Sequence, residues 1–448
     1  MKVVKFGGSS VADAQRISKV IDVVAADPER RIVVVSAPGK RDADDVKVTD
    51  RLIALAGAVL AGEDFEPALR DVVERYAGIV RELELPESTT GEIEADLRDR
   101  IASRADNAAH FLDVMKAAGE DNNAKVVAAA FRARGHAAKY VEPGEAGMLL
   151  SDEFGNAEVL PEAYDRLAAL KETREIVVFP GFFGRTRAGE IATFPRGGSD
   201  ITGAILAAAV GAETYENFTD VDSVYALDPR IVPDPPAIEE MTYREMRELA
   251  YAGFGVFHDE AIVPAVRAGI PIRIRNTNRP EAPGTLVVPR RNYETAEVTG
   301  VASAAGFCAI YVDKYMMNRE IGFGQRLLRI LEDEGISYEH APSGIDNLSV
   351  ILASAELDGK EARVVGRIRD ELKPDRVEVE HGLALLMVVG EGMHYAVGMA
   401  ARATGALAEA GVNVEMINQG ASEISMMFAV KESDREKSVR ALAKAFFA

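Results

Sequence analysis

Val3-Val4-Lys5-Phe6-Gly7-Gly8-Ser9-Ser10 stands at the head of the chain and decides its class. Val3 to Phe6 read as a strand, the glycines and serines break it, and Ala12 to Ala26 follow as a helix. Val11, Ile17, Val20, Ile21 and Val24 give that helix an apolar side at helical spacing. Working outward, Ile32-Val33-Val34-Val35 and Ile176-Val177-Val178-Phe179 are continuous apolar runs of strand length, the second followed by Pro180-Gly181. Such runs suit strands covered on both faces. Residues 58–135 read as mainly helical, acidic and exposed around Glu92 to Arg100. Strand–helix alternation predicts an α/β layered domain with a mostly parallel central sheet.

The chain has 448 residues, room for two to four domains, and its 48% apolar and 28% charged content is that of a soluble globular protein. Lys and Arg total 52 against 72 Asp and Glu, a formal net charge of −20. That field opposes nucleic acid and anionic lipid, so an anionic ligand has to be captured by locally placed cations and amides. Neither nucleic acid nor membrane is expected as a partner. The single Cys308 excludes an intramolecular disulfide or a cysteine metal cluster, and its apolar run reads as a buried strand. The N-terminus lacks a signal-peptide layout, and Ile201 to Val210 is half the length of a membrane helix. A reducing cytoplasm is the location these features predict.

Pro233 to Pro289 reads as a boundary region, with Pro233, Pro235, Pro236, Pro280 and Pro283 around the apolar strand Pro271 to Arg275. Beyond about residue 300 the chain repeats itself. Gly335-Ile336-Ser337-Tyr338-Glu339 matches Gly411-Val412-Asn413-Val414-Glu415, 76 residues on. At the same offset Leu331 matches Leu407, Gly344 matches Gly420, and Leu348-Ser349-Val350 matches Ile424-Ser425-Met426. Four matched features at one period indicate an internal duplication. The alternative is two unrelated units that share a glycine helix stop.

Three motifs could carry chemistry. Glycines after the first strand let backbone N–H groups approach a ligand, a helix N-terminus would add positive potential, and Lys5 supplies a mobile cation for a phosphoryl group. The same residues could equally form a turn without a ligand. Phe194-Pro195-Arg196-Gly197-Gly198-Ser199-Asp200 leads into an apolar helix. Ser199 or Asp200 could be its N-cap, but capping does not account for Arg196, which can grip a carboxylate with two N–H groups. Phe218-Thr219-Asp220-Val221-Asp222-Ser223-Val224-Tyr225, then Asp228-Pro229-Arg230, could line a nucleotide pocket, with Tyr225 against a base and Arg230 near phosphate. Asp-Pro-Arg is also an ordinary turn. Gly39-Lys40-Arg41 does not complete a Walker A loop, there is no His-Glu-x-x-His or Gly-x-Ser-x-Gly, and Gly322-Phe323-Gly324 lacks a third dinucleotide glycine. The six histidines are scattered, and His258 reads as a packed residue.

Lys5 to Ser10, Gly181-Phe182-Phe183-Gly184, Arg196 to Asp200 and Thr219-Asp220-Val221 occur in the order seen in aspartate kinases, and the whole chain resembles that branch of the amino-acid kinase superfamily. The duplicated tail resembles the paired ACT domains of those enzymes. The resemblance implies a three-layer amino-acid kinase fold over residues 1–290, then two ferredoxin-like βαββαβ ACT units at 300–378 and 379–448, which could interleave. It implies Lys5 and Asp200 as the catalytic pair and Lys5, Gly7, Gly8 and Ser9 as the phosphate-binding set. Ser36, Thr49, Glu120, Arg196 and Ser199 would hold aspartate, Glu120 at the amino group and Arg196 at the α-carboxylate. Thr219, Asp220, Tyr225 and Arg230 fit the nucleotide site. Ser343, Gly344, Ile345, Asp346 and Asn347 resemble an effector-binding turn. Two departures stand out: Gly255 occupies the place of a nucleotide-site lysine within Gly253 to His258, and the loop Pro38 to Lys47 is long, with Lys40 or Lys47 as substitute cation.

The resemblance thus implies transfer of the ATP γ-phosphate, with Mg²⁺, to the β-carboxylate of aspartate, feeding lysine, threonine and methionine synthesis. Lysine and/or threonine would act as feedback effector on a homodimer or larger homo-oligomer paired through the ACT units. An Asp side chain titrates near about 3.9, so the acceptor needs no general base, and no acid–base histidine is evident. Ending at Ala448, the chain is expected to carry no homoserine dehydrogenase half. Two alternatives stay open: a related kinase for glutamate, an acetylated amino acid or a nucleotide, and a catalytically silent amino-acid sensor.

Overall fold

The structure, a computed structural model, describes residues 1–104, 107–251, 259–292, 298–420 and 424–447. Its strands are β1 Lys2–Phe6, β2 Arg30–Val35, β3 Ala138–Tyr140, β4 Ile176–Pro180, β5 Phe183–Arg185, β6 Ile191–Thr193, β7 Thr214–Thr219, β8 Glu240–Thr242, β9 Ile272–Asn276, β10 Thr285–Val288, β11 Gly300–Asp313, β12 Asn347–Ala353, β13 Arg376–Val389, β14 Met416–Asn418 and β15 Ser425–Lys431. Its helices are α1 Ala14–Ala25, α2 Val48–Ala61, α3 Glu66–Glu82, α4 Ser88–Ala102, α5 Ala108–Ala133, α6 Pro143–Ala146, α7 Pro161–Leu167, α8 Gly198–Val210, α9 Tyr243–Tyr251, α10 Val263–Ala268, α11 Phe323–Asp333, α12 Glu361–Leu372, α13 Met399–Glu409 and α14 Arg435–Phe447. Two compact units emerge: residues 1–224, 239–243 and 259–291 form one, and 225–238, 244–251 and the described residues from 292 onward form the other.

The first unit is built on an eight-stranded sheet ordered β3-β4-β2-β1-β7-β9-β10-β8. From β3 to β9 every pair is parallel, and only the β9–β10 pair is antiparallel. Alternation along the strands splits the side chains between two layers. Val4, Phe6, Val33 and Val35 join the core that α1 to α5 close. Val3, Lys5, Ile32 and Val34 face the other way, where α8 lies on β1, β2 and β7 and packs with α7 and α10. Each fully buried Val or Phe here contributes about 1.5–3 kcal/mol. This is the three-layer α/β fold.

Two local expectations change. Gly8–Val11 form a 3₁₀ turn, and α1 starts only at Ala14, where Asp13 caps it by accepting from the Arg16 N–H at 2.8 Å. The end of α1 is thus occupied by its own cap, and the 3₁₀ turn meets the loop instead. The segment read as a boundary contributes β8, β9 and β10 to this sheet. Pro271 directly precedes β9, a position that leaves the ladder intact.

The second unit holds one five-stranded sheet, β12-β11-β13-β15-β14, antiparallel throughout. Its long strands β11 and β13 pair from Gly300↔Val389 to Asp313↔Arg376. Gly306 and Gly382, again 76 residues apart, interrupt them with φ of 88° and 71°. The C-terminal half of β11, α11, β12, α12 and the start of β13 enclose one core containing Ile310, Leu327, Val350 and Ile368. The rest of β13 pairs with β15, and the N-terminal half of β11 lies on its other side. The two repeats therefore share both long strands.

Candidate active site

The first strand, its right-hand neighbour β7 and its left-hand neighbours β2 and β4 all end at one edge of the sheet, where the strand order reverses direction. Ligands of open α/β sheets bind in such a crevice. A cavity of about 440 Å³ opens there, lined by Lys5, Ser36, Thr49, Lys116, Glu120, Phe182, Arg196, Ser199 and Asp200 among others. The two expected catalytic residues and all five expected aspartate-holding residues thus meet in one place.

Lys5 projects from β1 toward α8, and its Nζ lies 2.6 Å from Asp200 Oδ1. Asn217, the register partner of Lys5 on β7, donates from Nδ2 to the same oxygen at 2.5 Å. Two donors therefore fix one carboxylate oxygen, while Oδ2 takes no part in either contact. Asp200 is not the cap of α8: Gly197 is, at φ 83°, a conformation that favours glycine. Ser199 and Asp200 stand in the first turn, where the Asp200 N–H donates to the Gly197 carbonyl at 2.9 Å. Phe182 in the cavity wall also has positive φ, 76°, strain that such sites commonly store.

Glycine has a second use at the crevice. The Gly39 N–H donates to the Gly8 carbonyl at 2.9 Å, and a Cβ on Gly39 would sit 2.6 Å from the Gly8 carbonyl carbon. The loops after β1 and β2 thus touch backbone to backbone. Gly39, read only as a failed phosphate-loop residue, is the partner of Gly8.

The loop Pro38 to Lys47 is held from inside by Asp45. Its carboxylate meets Arg41 at 2.8 Å, Arg51 at 3.2 Å and Arg75 at 3.3 Å, and the Arg41 guanidinium first of all holds its pKa well below the usual range. This delivers Thr49 in the first turn of α2. Ser36 follows β2 with its N–H on the Phe6 carbonyl at 3.2 Å and its own carbonyl accepting from Asn123 Nδ2 at 2.6 Å. Lys40 donates to the Ala43 carbonyl at 3.3 Å.

Glu120 projects from α5 and is buried, with Oε2 lacking any hydrogen-bond partner. Burial pushes its pKa up to about 8, against smaller opposing contributions from the Ala37 N–H and Lys116. Arg196 is exposed and has no hydrogen bond or ion pair among the described residues. A carboxyl with one oxygen left without a partner and a guanidinium with none among the described residues, in one cavity, suit a zwitterionic ligand. Sequence reading missed Asn217 and Lys116. The i, i+4 spacing of Lys116 and Glu120 on one helix was the available signal for the latter.

The expected nucleotide residues divide. Thr219 ends β7, and its hydroxyl donates to Asp220 Oδ1 at 3.2 Å in the first unit. Tyr225 and Arg230 belong to the second unit, where Tyr225 bridges to Ala237 and Arg230 Nη2 lies 2.8 Å from Asp228 Oδ2. The segment Gly253 to His258, with Gly255, lies outside the described residues. In the second unit Ser343 to Asn347 form a turn closed by the Gly344 N–H on the Asn347 carbonyl at 2.8 Å. Asp346 accepts from the Lys314 N–H through its carbonyl at 2.7 Å and from the Met316 N–H through Oδ1 at 2.8 Å.

Comparison with known proteins places the chain in a family. The amino acid kinase family matches residues 1–276, and an ACT domain matches residues 386–446. Aspartokinase 3 of Bacillus subtilis is 55% identical, over 100% of this chain and 99% of that protein. The crystal structure of Clostridium acetobutylicum aspartate kinase superposes with a TM-score of 0.89 at 35% identity, covering 99% of each chain. Aspartokinase III of Escherichia coli, solved with aspartate and ADP, superposes with a TM-score of 0.77 at 28% identity over 100% of both chains. The same enzyme has been solved with lysine and aspartate. The chain belongs to the amino acid kinase family, and within it to the aspartokinases.

Proposed function

We infer that this chain is an aspartate kinase, transferring the ATP γ-phosphate to the β-carboxylate of L-aspartate to give 4-phospho-L-aspartate. One observation carries the reading: a single cavity joins Lys5 and Asp200 to the Glu120 carboxyl, whose Oε2 has no hydrogen-bond partner, and to the Arg196 guanidinium, which has none among the described residues. Glu120 receives the substrate ammonium and Arg196 the α-carboxylate. Ser36, Thr49 and Ser199 border the same space. The β-carboxylate attacks in its ionised state, so catalysis reduces to alignment and charge neutralisation. Lys5 neutralises the transferring group, and the N–H groups of Gly7, Gly8 and Ser9 hold phosphate oxygens. Thr219 and Asp220, at the end of β7 in the first unit, take the nucleotide.

Mg²⁺, when bound, would supply charge neutralisation for the phosphate oxygens. Asp200, with Oδ2 outside the contacts to Lys5 and Asn217, is the carboxylate suited to touch it. ADP release with ATP plus aspartate, run beside glutamate, tests the assignment. Turnover of glutamate alone would replace it with a related kinase, and none with either would leave a binding protein.

Feedback control by lysine, threonine or both rests on the duplicated ACT region and on the lysine complex of the Escherichia coli relative. The turn Ser343 to Asn347 is its proposed site. A homodimer through these units is proposed because β14 ends the five-stranded sheet with no further strand beside it among the described residues, whereas the β12 edge is covered by its own preceding segment. Titrating each amino acid into the assay, with sedimentation to follow the oligomer, checks both; inertness toward all of them removes the regulatory part.

A further inference from the structure

Lys116 belongs to none of the motifs that singled out the site, yet it lines the cavity one helical turn ahead of Glu120. Its ammonium is held on two sides. Nζ lies 2.9 Å from Asp113 Oδ1 and donates to Thr193 Oγ1 at 3.2 Å. Asp113 is 1% exposed and is itself fixed by the Gly155 N–H at 2.7 Å, the Thr193 N–H at 2.8 Å and the Thr193 hydroxyl at 2.8 Å. A lysine ammonium has three donors. Two are used here; the ammonium also lies 5.6 Å from the centroid of the Phe182 ring in the cavity wall, and the third N–H is left for the cavity. Thr193 ends β6, and Arg196 follows three residues later, so Lys116 is tied to the segment that presents Arg196. Lys5, in contrast, is committed to Asp200.

An aspartate substrate brings one ammonium and two carboxylates into this space. Glu120 answers the ammonium, and the β-carboxylate must stay free to attack. We propose that Lys116 contacts the substrate, donating its third N–H to the α-carboxylate beside Arg196, and that it thereby enforces selection for a free α-carboxylate. Asp113 and Thr193 are positioning residues that hold the ammonium there. The proposal rests on the aspartate reading above.

The test compares aspartate with its α-carboxamide analogue, which keeps the β-carboxylate, in steady-state assays on the full chain. Lys116→Met is expected to raise KM for aspartate about 10- to 100-fold, the value of a hydrogen bond to a charged group. KM for ATP stays unchanged, the kcat/KM preference for aspartate over the amide shrinks about as much, and Lys116→Arg restores part of it. Because Lys116→Met leaves Asp113 buried without its cation, the double variant Asp113→Asn/Lys116→Met is measured as well, and the same narrowing is expected. Equal losses on aspartate and amide in a folded variant, or an unchanged preference, overturn the proposal while wild-type activity on aspartate keeps the functional reading. A wild type inactive on aspartate overturns both.

Discussion

The backbone N–H of Gly39 donates to the carbonyl of Gly8 at 2.9 Å, so the loops after two adjacent parallel strands are locked together without an intervening side chain. A methyl group at position 39 would lie 2.6 Å from the Gly8 carbonyl carbon and 2.9 Å from the Ser9 nitrogen. We predict that Gly39→Ala costs about 1–3 kcal/mol, as forced overpacking does. It should also raise KM for ATP more than KM for aspartate, because the displaced atoms belong to the loop proposed to hold phosphate. Thermal melts and paired KM measurements check this; an unchanged melt with unchanged KM values would mean the loops do not depend on one another.

Lys5 and Asp200 should behave as a unit. Lys5→Ala is expected to lower kcat about 10²- to 10³-fold, the effect of deleting one donor that stabilises developing charge. The fold should survive, since the pair faces the cavity. Single-turnover kinetics with circular dichroism on the same samples will tell, and near-normal kcat would remove Lys5 from the catalytic role.

Glu120 is expected to link aspartate binding to protons. Its folded pKa, raised by burial to about 8 from 4.5, makes the neutral carboxyl the stable form in the empty site. The corresponding stability is full below the unfolded pKa and is lost as pH rises toward the folded one. Glu120→Gln should therefore flatten the decline in stability between about pH 4.5 and 8. A substrate ammonium favours the carboxylate, so aspartate binding near pH 7 should release a proton. Titration calorimetry in buffers of different ionisation enthalpy measures that release, and an equal enthalpy in all buffers would refute it.

Asp45 holds three arginines, one of them the buried Arg75. Asp45→Asn should cost about 3–5 kcal/mol, because it leaves the buried Arg75 guanidinium with the Ala12 and Gly39 carbonyls but without its carboxylate partner. Its depressed pKa means that the contribution is present above the ordinary carboxyl range and disappears as pH falls through the folded value. Denaturant midpoints at neutral and acid pH would show a wild-type advantage that narrows on acidification. A constant advantage would place the effect elsewhere.

Periodicity found β1, β2, β4 and the helices flanking them, since one strand or helix is encoded in its own neighbouring residues. It also found the duplication, which the structure carries down to Gly306 and Gly382 within the shared strands. It misread the start of α1, where Asp13 outcompetes the preceding residues as the cap. It read β8 to β10 as a boundary, because their pairing partners lie far off in the chain.

By itself the sequence determined the layered α/β class, the order of the glycine-bearing loops and the residue types available for a phosphoryl transfer. Only the tertiary structure decided that Gly8 meets Gly39, that Asn217 and Lys5 share one oxygen of Asp200, and that Lys116 joins Glu120 and Arg196 around one cavity. Each of these brings together elements that lie far apart in the chain. Such contacts depend on which strands become neighbours, and that choice leaves no periodic mark on the residues themselves.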